Sequence, residues 1–479
     1  MNGQELLPLL PLLIVSVFVV LNLIVISLYR NHQTTALLTG LGLVLALIST
    51  LFIDKSTPQY VMPLIIVDRY SIFFVGLILL AALMVTLLSY RYLELQKESR
   101  KEEYYVFLLL TTLGSSVVVS SNHFVSFFLG LEILSVSLYA LIAYKAEDSL
   151  GLEAGIKYLI LAATSDAFLL FGIALIYADT GQLEFARIAP MFDSGHIGFL
   201  LPGLGLLIVG LGFKLSLVPF HMWTPDVYQG APAPITAFLA SASKGAVFAL
   251  MLRYFTKIGI HTNNSLLTVF AVIAVASMFG GNLLALLQNY VKRILAYSSI
   301  AHFGYLLTAF LASGNLAFSA VTYYLAAYFV TILGAFGAIT ALSGSKAEPD
   351  LIDSYRGMFW KQPLLGGVFS ATLLSLAGIP LTAGFVGKFY VMAAGINSHL
   401  WILVVSLVAS SVIGLFYYLR IISVMFSKDL GNSEATGSDM TGMAAAGFAL
   451  VLLTIALVWL GIYPSSLIAL IQKIVPNPA

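Results

Sequence analysis

Apolar stretches of about twenty residues recur along the whole chain, separated by short polar loops. One helix needs ~20 apolar residues to cross ~30 Å of hydrocarbon, so each stretch predicts a transmembrane helix. The runs are continuous, whereas the strands of a membrane barrel alternate in ~10-residue segments, so helices are favoured. About fourteen spans are expected, near 7–29, 35–53, 71–90, 105–121, 123–144, 155–178, 196–218, 233–256, 265–288, 293–313, 317–342, 364–395, 399–424 and 441–470. The expected fold is an all-α polytopic membrane protein. The first run lacks a basic n-region and a small-residue cleavage site, and reads as a span rather than a removed signal peptide. The main polar interruptions are RYLELQKESRKEEYY at 91–105, SGSKAEPDLIDSYRGMFWKQP at 343–363 and SKDLGNSEATGSDMTG at 427–442, the last flexible by composition.

A weak internal repeat runs beneath this pattern. Span seven contains LSLVP, Leu215 to Pro219, and span twelve LSLAGIP, Leu374 to Pro380. Span six contains KYL, 157–159, followed by FGIAL, and span eleven contains YYL, 323–325, followed by FGAIT. Both pairs lie at similar offsets. Five crossings end on the opposite side, so a tandem five-span unit is inverted relative to its copy, an arrangement known from transporters. Short matches in apolar sequence also arise by chance. The reading gives an N-terminal three-helix segment (1–104), two inverted five-helix repeats (105–256 and 257–424) and a final span (425–479). Helices 7 and 12 should be broken, because proline lacks a backbone N–H and clashes with the carbonyl four residues earlier.

Composition narrows the chemistry. The chain is 60% hydrophobic and only 9% charged, so its solvent is lipid. It has no cysteine, which excludes disulfides, cysteine nucleophiles and thiolate-held zinc or iron–sulfur clusters on this chain. A net charge of +1 gives no electrostatic case for nucleic acid. The Gly-x-Gly strings at 203–205 and 210–212 lie inside apolar helix, not after a strand, and are no dinucleotide fingerprint. Of 23 Lys and Arg, 13 fall in loops after odd-numbered spans and 6 in the others. The positive-inside rule then puts both termini on the extracytoplasmic side. Four lysines remain inside spans: Lys157, Lys214, Lys244 and Lys388.

An ionisable residue within a span points to function, because its charge is costly there. Lys214 lies beside the Pro219 break, where a freed carbonyl makes the surroundings polar. It is also near the end of its span, so a plain kink with a snorkelling lysine is a second reading. Lys388 lies eight residues beyond Pro380, which frees the carbonyl of Leu376, and has no acid nearby in sequence. Lys244 shares a helix face with Ser241. Lys157 has Glu153 at i−4, so a local helix-stabilising pair competes with a relay role. Glu132 lies mid-span with Ser135 and Tyr139 on its face and is a candidate partner for one of the lysines. Asp166 is a second acid within span six. His221 follows the span-seven break, and His302 lies in a polar stripe with Ser298 and Tyr305. Each histidine reads as a proton relay or as a hydrogen-bonded packing residue. Tyr323, Tyr324 and Tyr328 could extend a hydrated seam. No metal-ligand spacing stands out.

The runs GLGFKLSLVPFHMWTPDVYQGAPAPITAFLASASK, NYVKRILAYSSIAHFGYLL and LSLAGIPLTAGFVGKFYVM resemble the antiporter-like subunits of respiratory complex I, over essentially the whole chain. WTPDVYQGAP, a lysine rather than a glutamate at Lys388, and a chain end soon after span fourteen point to the subunit N branch. The resemblance implies a membrane-arm subunit of a proton-pumping NADH:quinone oxidoreductase. Its partners would be the other membrane-arm subunits and the lipid bilayer of a bacterial inner membrane. NADH, FMN, iron–sulfur clusters and quinone would sit on partner subunits, with no cofactor here. The resemblance further implies that Glu132 partners Lys214 electrostatically, that Lys244 links two half-channels, and that Lys388 serves the outward half. Lys157, His221 and His302 would be secondary relay residues. Asp166 departs from the family pattern, which is expected to carry a small or neutral residue there. Two rival readings are a cation/proton antiporter subunit and a purely scaffolding subunit; buried lysines argue against the scaffold.

Overall fold

The computed structural model describes residues 6–53, 58–95, 100–145, 148–192, 198–259, 261, 263–344, 348–428 and 443–474. Its helices are α1 Leu7–Leu28, α2 His32–Ser49, α3 Arg69–Leu95, α4 Glu103–Ser120, α5 Phe124–Ile142, α6 Ser149–Thr180 and the short α7 Phe185–Phe192. They continue as α8 Leu200–Lys214, α9 Trp223–Gly230, α10 Ala233–Lys257, α11 Asn264–Leu286, α12 Val291–Leu311 and α13 Gly314–Leu342. The last are α14 Pro363–Ala377, α15 Ala383–Asn397, α16 Trp401–Phe426, α17 Met443–Ile462 and α18 Ser465–Gln472. Among the described residues, 12 helices are long and apolar enough to cross a membrane, and α8 and α14 are shorter apolar helices.

Burial separates the centre from the rim. The most apolar window of α10 is 100% buried and that of α12 is 94% buried, against 33% for α1. α10, α12 and α13 therefore form the core, while α1, α2 and α17 turn apolar faces outward, as lipid-facing helices must. In a lipid-solvated bundle close packing rather than the hydrophobic effect holds helices together, and small residues let backbones approach. At Gly281 on α11 an added Cβ would lie 2.7 Å from the backbone of α12. α12 is an almost fully enclosed helix that can carry polar side chains away from lipid.

Both proline sites break their helices. α8 ends at Lys214, and the chain resumes as α9, whose polar WTPDVYQG sequence reads as a loop but folds as a half-helix. α14 ends at Ala377 and α15 begins at Ala383, so the single span expected over 364–395 is two pieces. The turn runs through Gly378, whose φ of +85° suits glycine, and an added Cβ there would sit 2.9 Å from Lys388 Cδ. A π-helical turn, Leu239–Ser243, precedes Lys244. Such turns lie often at functional positions.

Three local expectations need adjusting. The span expected over 155–178 starts at Ser149, where Asp148 caps the helix N-terminus. The chain is not purely helical: Gln59–Val61 and Ile65–Val67 pair as a small antiparallel hairpin, β1–β2. The last span ends at Ile462, with α18 separate. Most of the segment 427–442 lies outside the described residues.

The alternation of sides is visible in the contacts. Tyr92, Lys145, Lys292 and Glu348, all from loops or helix ends after odd-numbered spans, meet in one cluster. Asp68, Asn122, Glu184, Arg253 and Lys257, all at the other ends, form a second network, with Arg253 holding Asp68 in a two-pronged ion pair at 2.8 and 3.0 Å.

Candidate functional site

Lys214 is the last residue of α8. Where Pro219 stops the helix, the lysine turns inward rather than snorkelling: its side chain is 4% exposed. Its Nζ donates to Asp166 Oδ2 on α6 at 2.9 Å and to Ser135 Oγ on α5 at 2.8 Å. The direct ion pair is thus with Asp166, the acid that departs from the expected pattern. Asp166 Oδ1 is buried with no hydrogen-bond donor among the described residues. The half-buried Glu132 lies alongside, within electrostatic reach of both Asp166 and Lys214. Two carboxyls and one ammonium are thereby gathered in one enclosed site.

Lys244 is wholly buried, and no acid among the described residues lies within ion-pair distance of it. Its Nζ donates to Ser299 Oγ on α12 at 3.0 Å. Rings surround the rest of it, with Tyr228 at 5.0 Å, Phe303 at 5.4 Å and Trp223 at 5.7 Å from Nζ. Ring faces attract a cation without neutralising it. Trp223 also touches the Lys214 side, its indole N–H donating to Phe213 O at 3.0 Å. Ser299 is further bonded by the Tyr328 hydroxyl at 2.9 Å.

His302 lies one turn beyond Ser298 and Ser299 on α12. Its Nδ1 meets Tyr324 Oη at 2.6 Å and its Nε2 meets Tyr418 Oη at 3.2 Å, while Tyr418 also bonds Ser298. The polar stripe expected from the sequence is therefore a hydrogen-bonded network fed by α13 and α16.

Lys388 Nζ sits against the α14–α15 break. It donates to Leu376 O at 2.9 Å, Ala377 O at 3.0 Å and Ser411 Oγ at 2.8 Å. The carbonyl of Leu376 is the one freed by Pro380. The Tyr305 ring lies 5.2 Å from Nζ, and its hydroxyl takes Asn282 Nδ2 at 2.8 Å and faces Ser410 and Ser411.

Two expected residues stand apart. Lys157 is 42% exposed and pairs with Glu153 at 2.6 Å and Asp226 at 2.8 Å, in a surface network that includes Arg293. Because α6 starts earlier than expected, Lys157 reaches out to the first turn of α9 instead of into the bundle. His221 is buried beside the Pro219 backbone, and neither ring nitrogen forms a hydrogen bond with the other candidate residues.

Some site residues escape sequence reasoning. Asp166 carried the signal applied to Glu132, an acid inside a span, but its partner lies 48 positions away. Ser299 and Ser411 have none, since serine is common in such helices. Glu348, only 9% exposed, accepts from Lys292 Nζ at 2.6 Å, Tyr92 Oη at 2.5 Å and Ala233 N at 3.0 Å. Burial alone would raise its pKa, but Lys292, Lys145 and the bonds from Lys292 and Tyr92 outweigh that and hold it below the usual carboxylate value. Among the described residues, no cluster of three or more His, Asp or Glu could hold a metal ion.

Residues 121–414 match the family model of the NADH:quinone oxidoreductase/Mrp antiporter transmembrane proteins. The NADH-quinone oxidoreductase subunit N of Ectopseudomonas mendocina (strain ymp) is 46% identical over 478 residues, covering 98% of this chain and 97% of that one. The chain belongs to the NADH-quinone oxidoreductase subunit N family. A chain of respiratory complex I from Thermus thermophilus, solved with bound aureothin, shares its fold with a TM-score of 0.82 at 34% identity, covering 96% of this chain and 98% of that one. The Mrp complex from Dietzia sp. DQ12-45-1b gives 0.84 at 20% identity, covering 99% and 97%, a likeness of fold alone. The matched region of this subunit N-type chain contains Glu132, Asp166, Lys214, Lys244, His302, Lys388 and all three serines bonded to the lysines.

Proposed function

We propose that the chain works as the membrane-arm subunit N of a proton-translocating NADH:quinone oxidoreductase, passing protons through a buried relay. The observation that carries this reading is the row of three enclosed lysines, Lys214, Lys244 and Lys388, each bonded to a hydroxyl and, among the described residues, only the first to an acid. Redox chemistry belongs to partner subunits, which would carry NADH, FMN, iron–sulfur clusters and quinone. The other membrane-arm subunits and the bilayer of a bacterial inner membrane are its surroundings. Counting the broken helices α8–α9 and α14–α15 as spans seven and twelve brings the 12 long helices to fourteen. Helices α4–α10 and α11–α16 would be the two inverted five-helix repeats, with both termini extracytoplasmic.

Lys214 is the switch in this scheme. Quinone reduction elsewhere changes the charge balance along the membrane arm. The Glu132–Asp166 pair feels that change and tightens or loosens its hold on the Lys214 ammonium. Lys244, with no counter-ion among the described residues, serves as a transient link. Ser299, Tyr328 and the His302 network lead on towards Lys388, the outward station. Moving one charge against 100 mV costs ~2.3 kcal/mol, a load within reach of rearranging one buried ion pair. Lys157 and His221 take at most a peripheral part.

The test is Lys214→Ala and Glu132→Ala in the assembled complex, with NADH oxidation and proton uptake measured together in inverted membrane vesicles. Coupled pumping should fall while the chain stays inserted; full pumping would end the relay reading. The rival antiporter reading rests on the fold shared with the Mrp complex. Purification in mild detergent separates the two: NADH dehydrogenase chains should accompany this one.

A further inference from the structure

Each enclosed lysine of the relay donates to one serine hydroxyl: Lys214 to Ser135, Lys244 to Ser299 and Lys388 to Ser411. At Lys388 the arrangement has a consequence that follows from hydrogen counting. An ammonium carries three N–H donors and no acceptor. The three bonds to Leu376 O, Ala377 O and Ser411 Oγ use all of them, so the charged form is fully coordinated. The neutral amine has two N–H donors and a lone pair. Its lone pair needs a donor, and a backbone carbonyl can never supply one. Of the three partners only Ser411 is amphiprotic, able to accept from the ammonium and to donate to the amine.

We infer that Ser411 is the proton-exchange contact of Lys388, the hydroxyl through which its proton enters and leaves. The inference rests on the reading of Lys388 as a proton station and adds the group that serves it. In the release step one Nζ–H bond breaks as an Oγ–H bond forms. The proton previously on Oγ passes to a water molecule that takes it up as hydronium. Serine ends neutral and Lys388 ends as the amine, accepting a hydrogen bond from the same hydroxyl. Uptake is the reverse. The two carbonyls hold the side chain in place throughout, and the glycine turn at Gly378 keeps space for it. Ser411 is half-buried whereas the neighbouring Ser410 is fully buried.

The experiment uses the assembled complex in inverted membrane vesicles and compares Ser411→Thr with Ser411→Val. The two side chains have nearly the same shape, and only threonine keeps a hydroxyl. Ser411→Ala is the third variant, should the β-branched residues disturb assembly. Proton uptake is read against NADH oxidation, with copurification of the partner chains as the assembly check. The expected result is wild-type-like pumping for Ser411→Thr and a roughly tenfold or larger loss for Ser411→Val and Ser411→Ala, equivalent to about 1.4 kcal/mol or more on the rate-limiting proton step. Wild-type-like pumping in Ser411→Val or Ser411→Ala would overturn the inference. So would a Ser411→Thr complex that assembles but pumps as poorly as Ser411→Val, because the hydroxyl would then not be what matters. Lys388→Met in the same assay separates the two levels. If it pumps normally, the relay reading itself fails; if it is blocked while Ser411→Ala pumps, only the role of Ser411 fails.

Discussion

Replacing Glu348 by glutamine tests whether the cluster at the loop side of the bundle depends on one buried charge. Glutamine keeps the shape but removes the counter-charge of Lys292, which is 4% exposed and whose other partner is the neutral carbonyl of Ala231 at 3.0 Å. Lys145, at 3.8 Å, adds a weaker attraction. Removing one member of a buried ion pair costs ~3–5 kcal/mol, because the remaining charge stays desolvated. Unfolding entropy of ~2.1 cal/mol/K per residue gives about 1 kcal/mol/K for this chain, so the melting temperature should fall by ~3–5 °C. Differential scanning fluorimetry of the detergent-solubilised protein measures it. Adding Lys292→Met to Glu348→Gln should recover part of the loss, since two uncharged partners need no compensation. The pH dependence has a definite sign. The folded carboxyl lies below its ordinary value, so its stabilisation is complete above the unfolded pKa of ~4.3 and is lost as pH falls through the folded value. The gap between wild type and Glu348→Gln should therefore be full at neutral pH and close only in acid. A melting temperature unchanged to within about 1 °C in Glu348→Gln would refute the reasoning.

Other substitutions divide the relay from its surroundings. Asp166→Asn should impair coupled pumping as severely as Lys214→Ala, in the same vesicle assay, because it removes the direct partner at 2.9 Å. Lys157→Gln should leave pumping intact and shift stability by no more than ~1 kcal/mol, as expected for a pair with a 42% exposed lysine; thermal melts and proton uptake both report on this. Gly378→Ala should cost ~1–2 kcal/mol for a left-handed backbone and also displace Lys388, giving a lower melting temperature together with slower pumping.

Much of the architecture was legible because a bilayer imposes one length on every element. Apolar run length placed the helices, and proline chemistry placed both breaks, down to the carbonyl of Leu376 that Lys388 now uses. The half-helix Trp223–Gly230 was hidden by its own polarity, which reads as loop although protein surrounds it on nearly every side. The hairpin Gln59–Val61 with Ile65–Val67 is too short to carry a period. The lysines were visible as charges where charge is costly, but their partners were not. Asp166 and Ser135 come to Lys214 from two other helices, Ser299 comes to Lys244 from a third, and no spacing within one helix encodes such contacts. Lys157 shows the opposite case. Its i−4 glutamate was in the sequence from the start, and that local pair is what the side chain makes, with Asp226 added from the first turn of α9. Glu348 sits in a loop with no pattern around it, and only folding reveals that helix ends and loops from four other parts of the chain converge on it.

The central claim is that protons cross through the enclosed lysines, and Lys244→Met probes it most directly. Lys244 has no counter-ion among the described residues to strand, and methionine fills similar space, so the fold should tolerate the change. Proton uptake per NADH oxidised, measured in inverted vesicles with the complex shown to be assembled, should fall below the wild-type ratio. An unchanged ratio in a fully assembled Lys244→Met complex would contradict the account.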